Sequence, residues 1–440
     1  MSVERSESAT SSEARADGRA HRGDVPRSAH REWSPPSDRA DPIAVLKIQE
    51  RDRVPSLLPL RHERMGASPL AFFRGAAAIM AGDLASTPTT ALRVQACGDA
   101  HLANFGVFAT PERNLVFDVN DFDETLQAPF EWDVKRLASS LVVAGRGNAL
   151  PEPASRAAAR AAVETYRAEL RRYASMGELE VWYARIDVAS VMKVLRGTTR
   201  RDAQRVAKKA QRRTSLAALS KLTTIRSGRR RIMDAPPLIE HLDGLSEQVA
   251  ARLADYRATL PADRRVLLDR YSLVDAARKV VGVGSVGTEC AIVLLEGRSN
   301  DDPLFLQIKT AAPSVLEPYA GPSPFSDAGQ RVVEGQLLMQ AASDIFLGWT
   351  GPNYVRQLRD MKGGVVPEAL DATGLAVYGR VCGAALARAH ARSGSAQAIT
   401  GYLGRGEVFD AVVEDFAAAY ADQTERDYGA FLASGRSDDR

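Results

Sequence analysis

The stretch Cys97-Gly98-Asp99-Ala100-His101-Leu102-Ala103-Asn104-Phe105-Gly106, followed closely by Leu115-Val116-Phe117-Asp118-Val119-Asn120-Asp121-Phe122-Asp123-Glu124, decides how the rest of this chain reads. Residues 94–96 form a short β-type run into the first loop, and residues 105–108 and 115–119 form two more, joined by the turn Thr110-Pro111-Glu112-Arg113-Asn114. The loop therefore offers a carboxylate at Asp99 and an amide five residues later at Asn104. The second strand delivers Asp118, Asp121 and Asp123 just beyond. Asp99 suits a base that takes a proton from a hydroxyl. Asn104 and Asp121 suit a hard cation such as Mg²⁺, which prefers oxygen and keeps several waters. Carboxylates crowded at 118, 121 and 123 repel one another unless a cation sits among them, so each is a candidate ligand. The same cluster has the composition of a polar turn, because Asp and Asn bond their own backbone.

Composition bounds the class. With 440 residues, 45% hydrophobic and 26% charged, the chain has the make-up of a soluble globular protein with room for two or three domain-sized units. A net charge of +3 gives no global argument for a polyanionic partner. No run approaches the roughly 18 apolar residues of a membrane span, and the N-terminus lacks the apolar core of a secretory leader. Cys97, Cys290 and Cys382 are widely spaced with no CxxC pair, so neither a disulfide framework nor a zinc site is expected, and a reducing cytoplasm fits. Residues 1–40 are rich in Ser, Arg, Glu, Asp, Ala and Pro and are expected to be disordered, since so few large apolar groups cannot offset ordering entropy.

Downstream, Ser68-Pro69 is a helix start with proline at the first position, and residues 71–84 read as one buried helix. Arg61, Arg64 and Arg74 lie just upstream of the acidic loop and are candidate phosphate contacts or ordinary surface arginines. Residues 129–142 open a further helix in which Asp133 is expected to give structural support, by capping that helix or bracing the loop before it. Residues 151–260 are mainly helical by period. Within them, residues 196–231 carry thirteen Lys and Arg against the single acid Asp202. That run is either a solvated helix face or a positive field for an anionic ligand.

A second informative stretch is Val280-Val281-Gly282-Val283-Gly284-Ser285-Val286-Gly287-Thr288-Glu289-Cys290. A GxGxxG between a strand and a helix marks a dinucleotide site. Here a strand-like run follows instead, which makes a glycine-rich hairpin. The next strand, Leu304-Phe305-Leu306-Gln307-Ile308-Lys309, ends on a lysine, and Glu334 on the helix after it, or else Glu317, is its expected acidic partner. Residues 375–392 and 409–431 are helical, with His390 packed rather than reactive.

Glycine hairpin, lysine strand and helix acid are the parts with which protein kinases grip the phosphates of ATP, and an acidic loop followed by a metal aspartate supplies their base and Mg²⁺ ligands. In those enzymes the hairpin comes first; here it comes last. The segments quoted above, together with Pro129-Phe130-Glu131-Trp132-Asp133, Arg331-Val332-Val333-Glu334-Gly335-Gln336 and Leu386-Ala387-Arg388-Ala389-His390-Ala391-Arg392-Ser393, closely resemble the bacterial family called domain of unknown function 2252 from about residue 43 to 432. That family resembles the protein-kinase-like group that includes aminoglycoside and choline phosphotransferases. The resemblance implies an α+β, two-lobed, kinase-like fold in circularly permuted order. It divides the chain into a catalytic-loop and helical part over 41–265, a small antiparallel sheet lobe over 266–364 and C-terminal helices over 365–440. It further implies Asp99 as base, Asn104 and Asp121 on Mg²⁺, Gly282, Gly284 and Gly287, with Ser285 between them, over the phosphates of ATP, and Lys309 on them.

The function expected is phosphoryl transfer from ATP to a small hydroxyl-bearing acceptor. Transfer of AMP, or nucleotide binding without turnover, is the nearest variant. A metallohydrolase built around Asp99 and His101, and a nucleic-acid-binding protein using residues 196–231, are the readings from other classes.

Overall fold

The computed structural model describes residues 10–226, 229–299, 301–358 and 360–437. They form an α+β protein, mostly helical, with small antiparallel sheets. The largest sheet has six strands in the order Gly348–Thr350, Asn353–Gln357, Pro303–Thr310, Cys290–Glu296, Ser272–Lys279 and Ile239–Glu240, each antiparallel to its neighbour. Its central strands are apolar at successive positions because both faces are covered. Val293, Leu295, Leu304, Leu306 and Ile308 pack on one face against Tyr256 of the Leu245–Thr259 helix and Phe346. Ala277, Ile292, Leu294 and Phe305 pack on the other against Ala218, Leu219 and Leu222 of the Ser215–Leu222 helix. Residues before 266, in the Ile239–Glu240 strand and the Leu245–Thr259 helix, thus pair with or pack on this sheet. Arg359, in the expected linker after the sheet, lies outside the described residues.

The main core gathers the helices Phe130–Gly147, Glu152–Tyr173, Ala372–Ser393 and Val408–Ser437 around two short ladders. One ladder pairs Arg93–Ala96 with Leu126–Pro129, the other Phe105–Ala109 with Leu115–Val119. Alanine and glycine let two of the helices approach closely: a Cβ on Gly383 would lie 2.2 Å from the carbonyl of Ala162. The helix expected over 71–84 is broken into Pro69–Gly75 and Ala77–Ala85. Ser68 caps the first piece by accepting from the Ala71 amide. The break falls where the Gly75 carbonyl turns to accept from Arg61 Nη2 at 3.2 Å.

The N-terminal segment is ordered from residue 10, contrary to the disorder expected over 1–40; residues 1–9 lie outside the described residues. Thr10 and Glu13 form a capping box at the start of the Ser11–Asp24 helix. Polar groups dock it, which is why composition hides it. Arg22 donates to the carbonyls of Gly401 and Tyr402 at 2.5 and 2.8 Å, and Arg27 to that of Leu403 at 2.7 Å, so cations sit on the C-terminal carbonyls of the Ala396–Leu403 helix. Arg39 bridges Asp83 and Asp427 at 2.7 and 2.6 Å. His30 is buried with Nε2 2.7 Å from the Tyr402 hydroxyl.

Burial, with Lys135 nearby, depresses the His30 imidazole to about 3 from its ordinary value of roughly 6.5. The docked segment therefore requires a neutral ring, whereas a released one takes up a proton below roughly 6.5. Docking should be complete above that pH and weaken as pH falls toward 3. Limited proteolysis should cut within residues 10–40 faster at pH 5 than at pH 7.5, and His30→Gln should flatten that difference.

Candidate active site

The loop holding Asp99 is built by the helix that follows it. Asp133, with Arg136 and Ser140 three and seven residues on, marks one side of the Phe130–Gly147 helix, and all three turn to the loop. Asp133 accepts from the amides of Cys97 at 2.6 Å and Gly98 at 3.0 Å, and Ser140 Oγ from that of Leu102 at 2.9 Å. His390 Nε2 lies 3.2 Å from the same Asp133 carboxylate and its Nδ1 2.9 Å from the Tyr166 hydroxyl, so His390 is a buried brace. Gly98 adopts φ +78°, and a Cβ there would lie 2.3 Å from the Glu124 carbonyl. Only glycine fits the turn that lets the two acidic segments touch.

Asp99 emerges one-fifth exposed, with Oδ1 2.6 Å from Arg136 Nε. Burial pushes its carboxyl up to about 7 against the pull of Arg136, with Glu124 and Asp121 pushing the same way. Asn104 donates Nδ2 to the Asp99 carbonyl at 2.7 Å, and its Oδ1 accepts nothing among the described residues. The Asn120 amide donates to the Asn104 carbonyl at 2.8 Å, so Asn104 and Asp121 leave the same end of one two-stranded ladder. Asp121 Oδ1 is buried without a hydrogen-bond partner. Burial and Asp123 raise the Asp121 carboxyl, while Lys309 and Arg356 oppose them. Two oxygens from one ladder end, one of them an orphaned carboxylate, fit a cation that completes its shell with water and phosphate. Among the described residues no three His, Cys, Asp or Glu side chains form a cluster that could hold a metal by themselves.

Asp123 goes elsewhere. Its Oδ2 meets Lys309 Nζ and lies 3.3 Å from Ser285 Oγ, and its Oδ1 accepts from the Tyr354 hydroxyl at 2.8 Å. Burial raises its carboxyl, but Lys309 and Tyr354 together outweigh that and hold it below the usual carboxylate range. Lys309 also donates to Ser285 Oγ at 2.7 Å. Burial works against its charge, yet Asp123 keeps its ammonium above the ordinary lysine range. The expected partner Glu334 forms no ion pair among the described residues, and Glu317 Oε1 accepts from the Ser314 amide at 3.1 Å. The helix Ala328–Met339 is tied to the acidic segment through Arg331, which donates to the carbonyls of Asp123 and Thr125, both at 2.8 Å.

Asp118 is not available to a metal. Both its oxygens lie 2.7 Å from Arg388 Nη2, Oδ2 also accepts from the Ala341 amide at 3.2 Å, and the pair is fully buried. The glycine segment 280–289 does join two antiparallel strands, with Gly282 and Gly287 at positive φ. Its carbonyls are held by the N-terminal arginines: Arg64 on Gly282 at 2.6 Å, Arg61 on Gly284 at 2.7 Å and Arg53 on Val286 at 2.5 Å. Arg61 and Arg64 thus grip the loop itself, while Arg74 keeps a buried Nε without a partner.

Sequence reading missed Arg136, Tyr354, Arg356 and Arg388. Cross-strand register explains two of them. Tyr354 is opposite Lys309, and Arg356 is opposite Gln307, to whose Oε1 it donates at 3.0 Å. Asp118→Ala or Arg388→Met leaves one buried charge unpaired and should cost about 3–5 kcal/mol, read as a lower denaturant midpoint without any added metal. Asp121→Ala should cost far less.

No curated protein and no solved structure matches this sequence. A family model described as an uncharacterized protein conserved in bacteria, domain of unknown function 2252, matches residues 53–434, and the chain belongs to that family.

Proposed function

We propose that this chain is a kinase-like phosphotransferase in permuted order, using ATP and Mg²⁺ to phosphorylate a hydroxyl on a small acceptor. The observation that carries the reading is the meeting of Lys309, from the strand after the glycine hairpin, with Asp123, two residues from the unpartnered Asp121 oxygen. The sequence of glycine hairpin, lysine strand and helix is the one with which kinases hold nucleotide phosphates.

In this reading Asn104 and Asp121 would hold Mg²⁺, which when bound neutralises charge on the β- and γ-phosphates. Lys309 exchanges Asp123 for phosphate oxygens, and Ser285 and the loop glycines cover them. The acceptor oxygen attacks the γ-phosphorus while the bond from that phosphorus to the β-γ bridging oxygen breaks. The hydroxyl proton passes to Asp99, and ADP leaves with the bridging oxygen. A carboxyl held near 7 is matched to that proton transfer at neutral pH. Arg136 fixes its orientation from behind.

Calorimetry tests the reading. Native protein should bind ATP more tightly with Mg²⁺ than without. Lys309→Ala should weaken binding at least tenfold in either case, and Asp121→Ala should abolish the Mg²⁺ dependence. Asp99→Asn should keep nucleotide affinity and lower turnover on the order of 10²–10⁴-fold, measured as ADP released. Unchanged binding in both the Lys309 and Asp121 variants, or no binding by native protein, would overturn it.

A further inference from the structure

The basic run at 196–231 is not simply a solvated helix face. Lys208, Lys209, Arg212, Arg213, Lys221 and Lys362 converge on one cavity of about 770 Å³. Its volume is that of a small-molecule site, yet among the described residues every charge on its wall is positive. Arg205 joins them and pairs with Asp202 at 2.9 Å, and Leu358 is the sole apolar contributor. Lys208, Lys209, Arg212 and Lys221 form no ion pair among the described residues.

Three separate segments bring these cations together: the Gly197–Gln211 helix with the turn after it, the Ser215–Leu222 helix, and the residues following the Asn353–Gln357 strand. Backbone bonds fix the meeting. Met361 donates its amide to the Arg213 carbonyl at 2.8 Å, and Arg213 donates Nη1 to the Lys362 carbonyl at 3.0 Å. Like charges held this close repel, so the arrangement stores unfavourable electrostatics that an anion would relieve. Burial, and after it Arg356, hold the Lys362 ammonium down at about 8, while the carboxylates of Asp344, Asp360 and Asp121 pull the other way.

The helix that carries Lys221 packs on the same face of the sheet as Lys309. Side chains alternate along a strand, so Phe305, Gln307 and Lys309 share one face of the sheet. Phe305 packs against the Ser215–Leu222 helix that carries Lys221, and its carbonyl accepts from the Leu358 amide at 2.9 Å. Between the two places stands Arg356, bonded to Gln307 and, at 3.4 Å, to the Asn120 carbonyl beside Asp121.

We infer that this cavity binds a small polyanion carrying two or more phosphate groups, as a subsite of the Lys309 cleft. Its role as a subsite rests on the phosphotransferase reading; the binding itself does not. The phosphates could belong to a phosphorylated acceptor or to the tail of a nucleotide lying in the opposite direction, and the chemistry that recognises them is the same. A nucleic acid fits less well. The cations line a concavity rather than an extended stripe, and no aromatic side chain among them offers a base a stacking surface.

The test uses sodium tripolyphosphate without Mg²⁺, titrated into native protein, Lys309→Ala, and the triple variant Lys208→Ala/Lys209→Ala/Arg212→Ala, whose exposed positions should leave the circular dichroism and melting temperature unchanged. Native and Lys309→Ala proteins should bind it alike, and the triple variant at least tenfold more weakly. If MgATP affinity falls in parallel in the triple variant, the nucleotide's own phosphates occupy the cavity. If MgATP affinity is unchanged and both ligands bind together, a separate phosphorylated acceptor does. Absence of tripolyphosphate binding, equal binding by native and triple-variant proteins, or tighter binding of a 20-base-pair DNA duplex lost in the triple variant would overturn the inference. Tripolyphosphate binding at the cavity by a protein that binds no MgATP would sink the phosphotransferase reading alone.

Discussion

Lys309 is 2% exposed and keeps its charge because Asp123 reaches it from a segment 186 residues away in sequence. A buried ammonium left alone would lose its proton or displace the strand that carries it. The same contact ties the six-stranded sheet to the acidic loop, and Ser285 and Tyr354 complete the hydrogen bonding that a desolvated ion pair needs. Around this contact the other charges have separate tasks. Arg388 neutralises Asp118 inside the core, Arg136 orients Asp99, and Asp121 is left with an oxygen that nothing among the described residues satisfies.

The chain order of these parts matters little to the geometry. Asp99 is set by the Phe130–Gly147 helix immediately after it, and Lys309 by its neighbours in the sheet. Each half is braced by contacts within itself. The late helix Ala372–Ser393 then locks the early half from behind, because Arg388 and His390 sit two positions apart on it and reach Asp118 and Asp133. These two long-range polar contacts are a reason for the C-terminal helices to pack on the acidic segment rather than elsewhere on the helical core.

What could be read from sequence follows from whether the cause is local. The hairpin at 280–289 and the lysine strand are legible because alternation and glycine spacing are properties of a few consecutive residues. The bracing role of Asp133 is legible because the amides that donate to it lie on a preceding loop. Asp118 and Asp121 look alike in sequence, and only the distant Arg388 separates the structural acid from the free one. Glu334 has a plausible position on its helix, but Asp123 reaches Lys309 first. The Ser11–Asp24 helix escapes composition because arginine contacts to carbonyls, not apolar burial, hold it in place.

The three arginines on the glycine segment tie the motion of that hairpin to the first seventy-five residues. A loop with three of its carbonyls taken by guanidinium groups does not lift as a free flap; it moves with the Leu58–Gly66 helix, which carries two of them, or exchanges partners one by one. Guanidinium groups prefer anionic oxygens to neutral carbonyls by roughly twofold in strength. An anion brought to these arginines would compete with the carbonyls they hold, so that its binding and the loosening of the loop would be one coupled equilibrium.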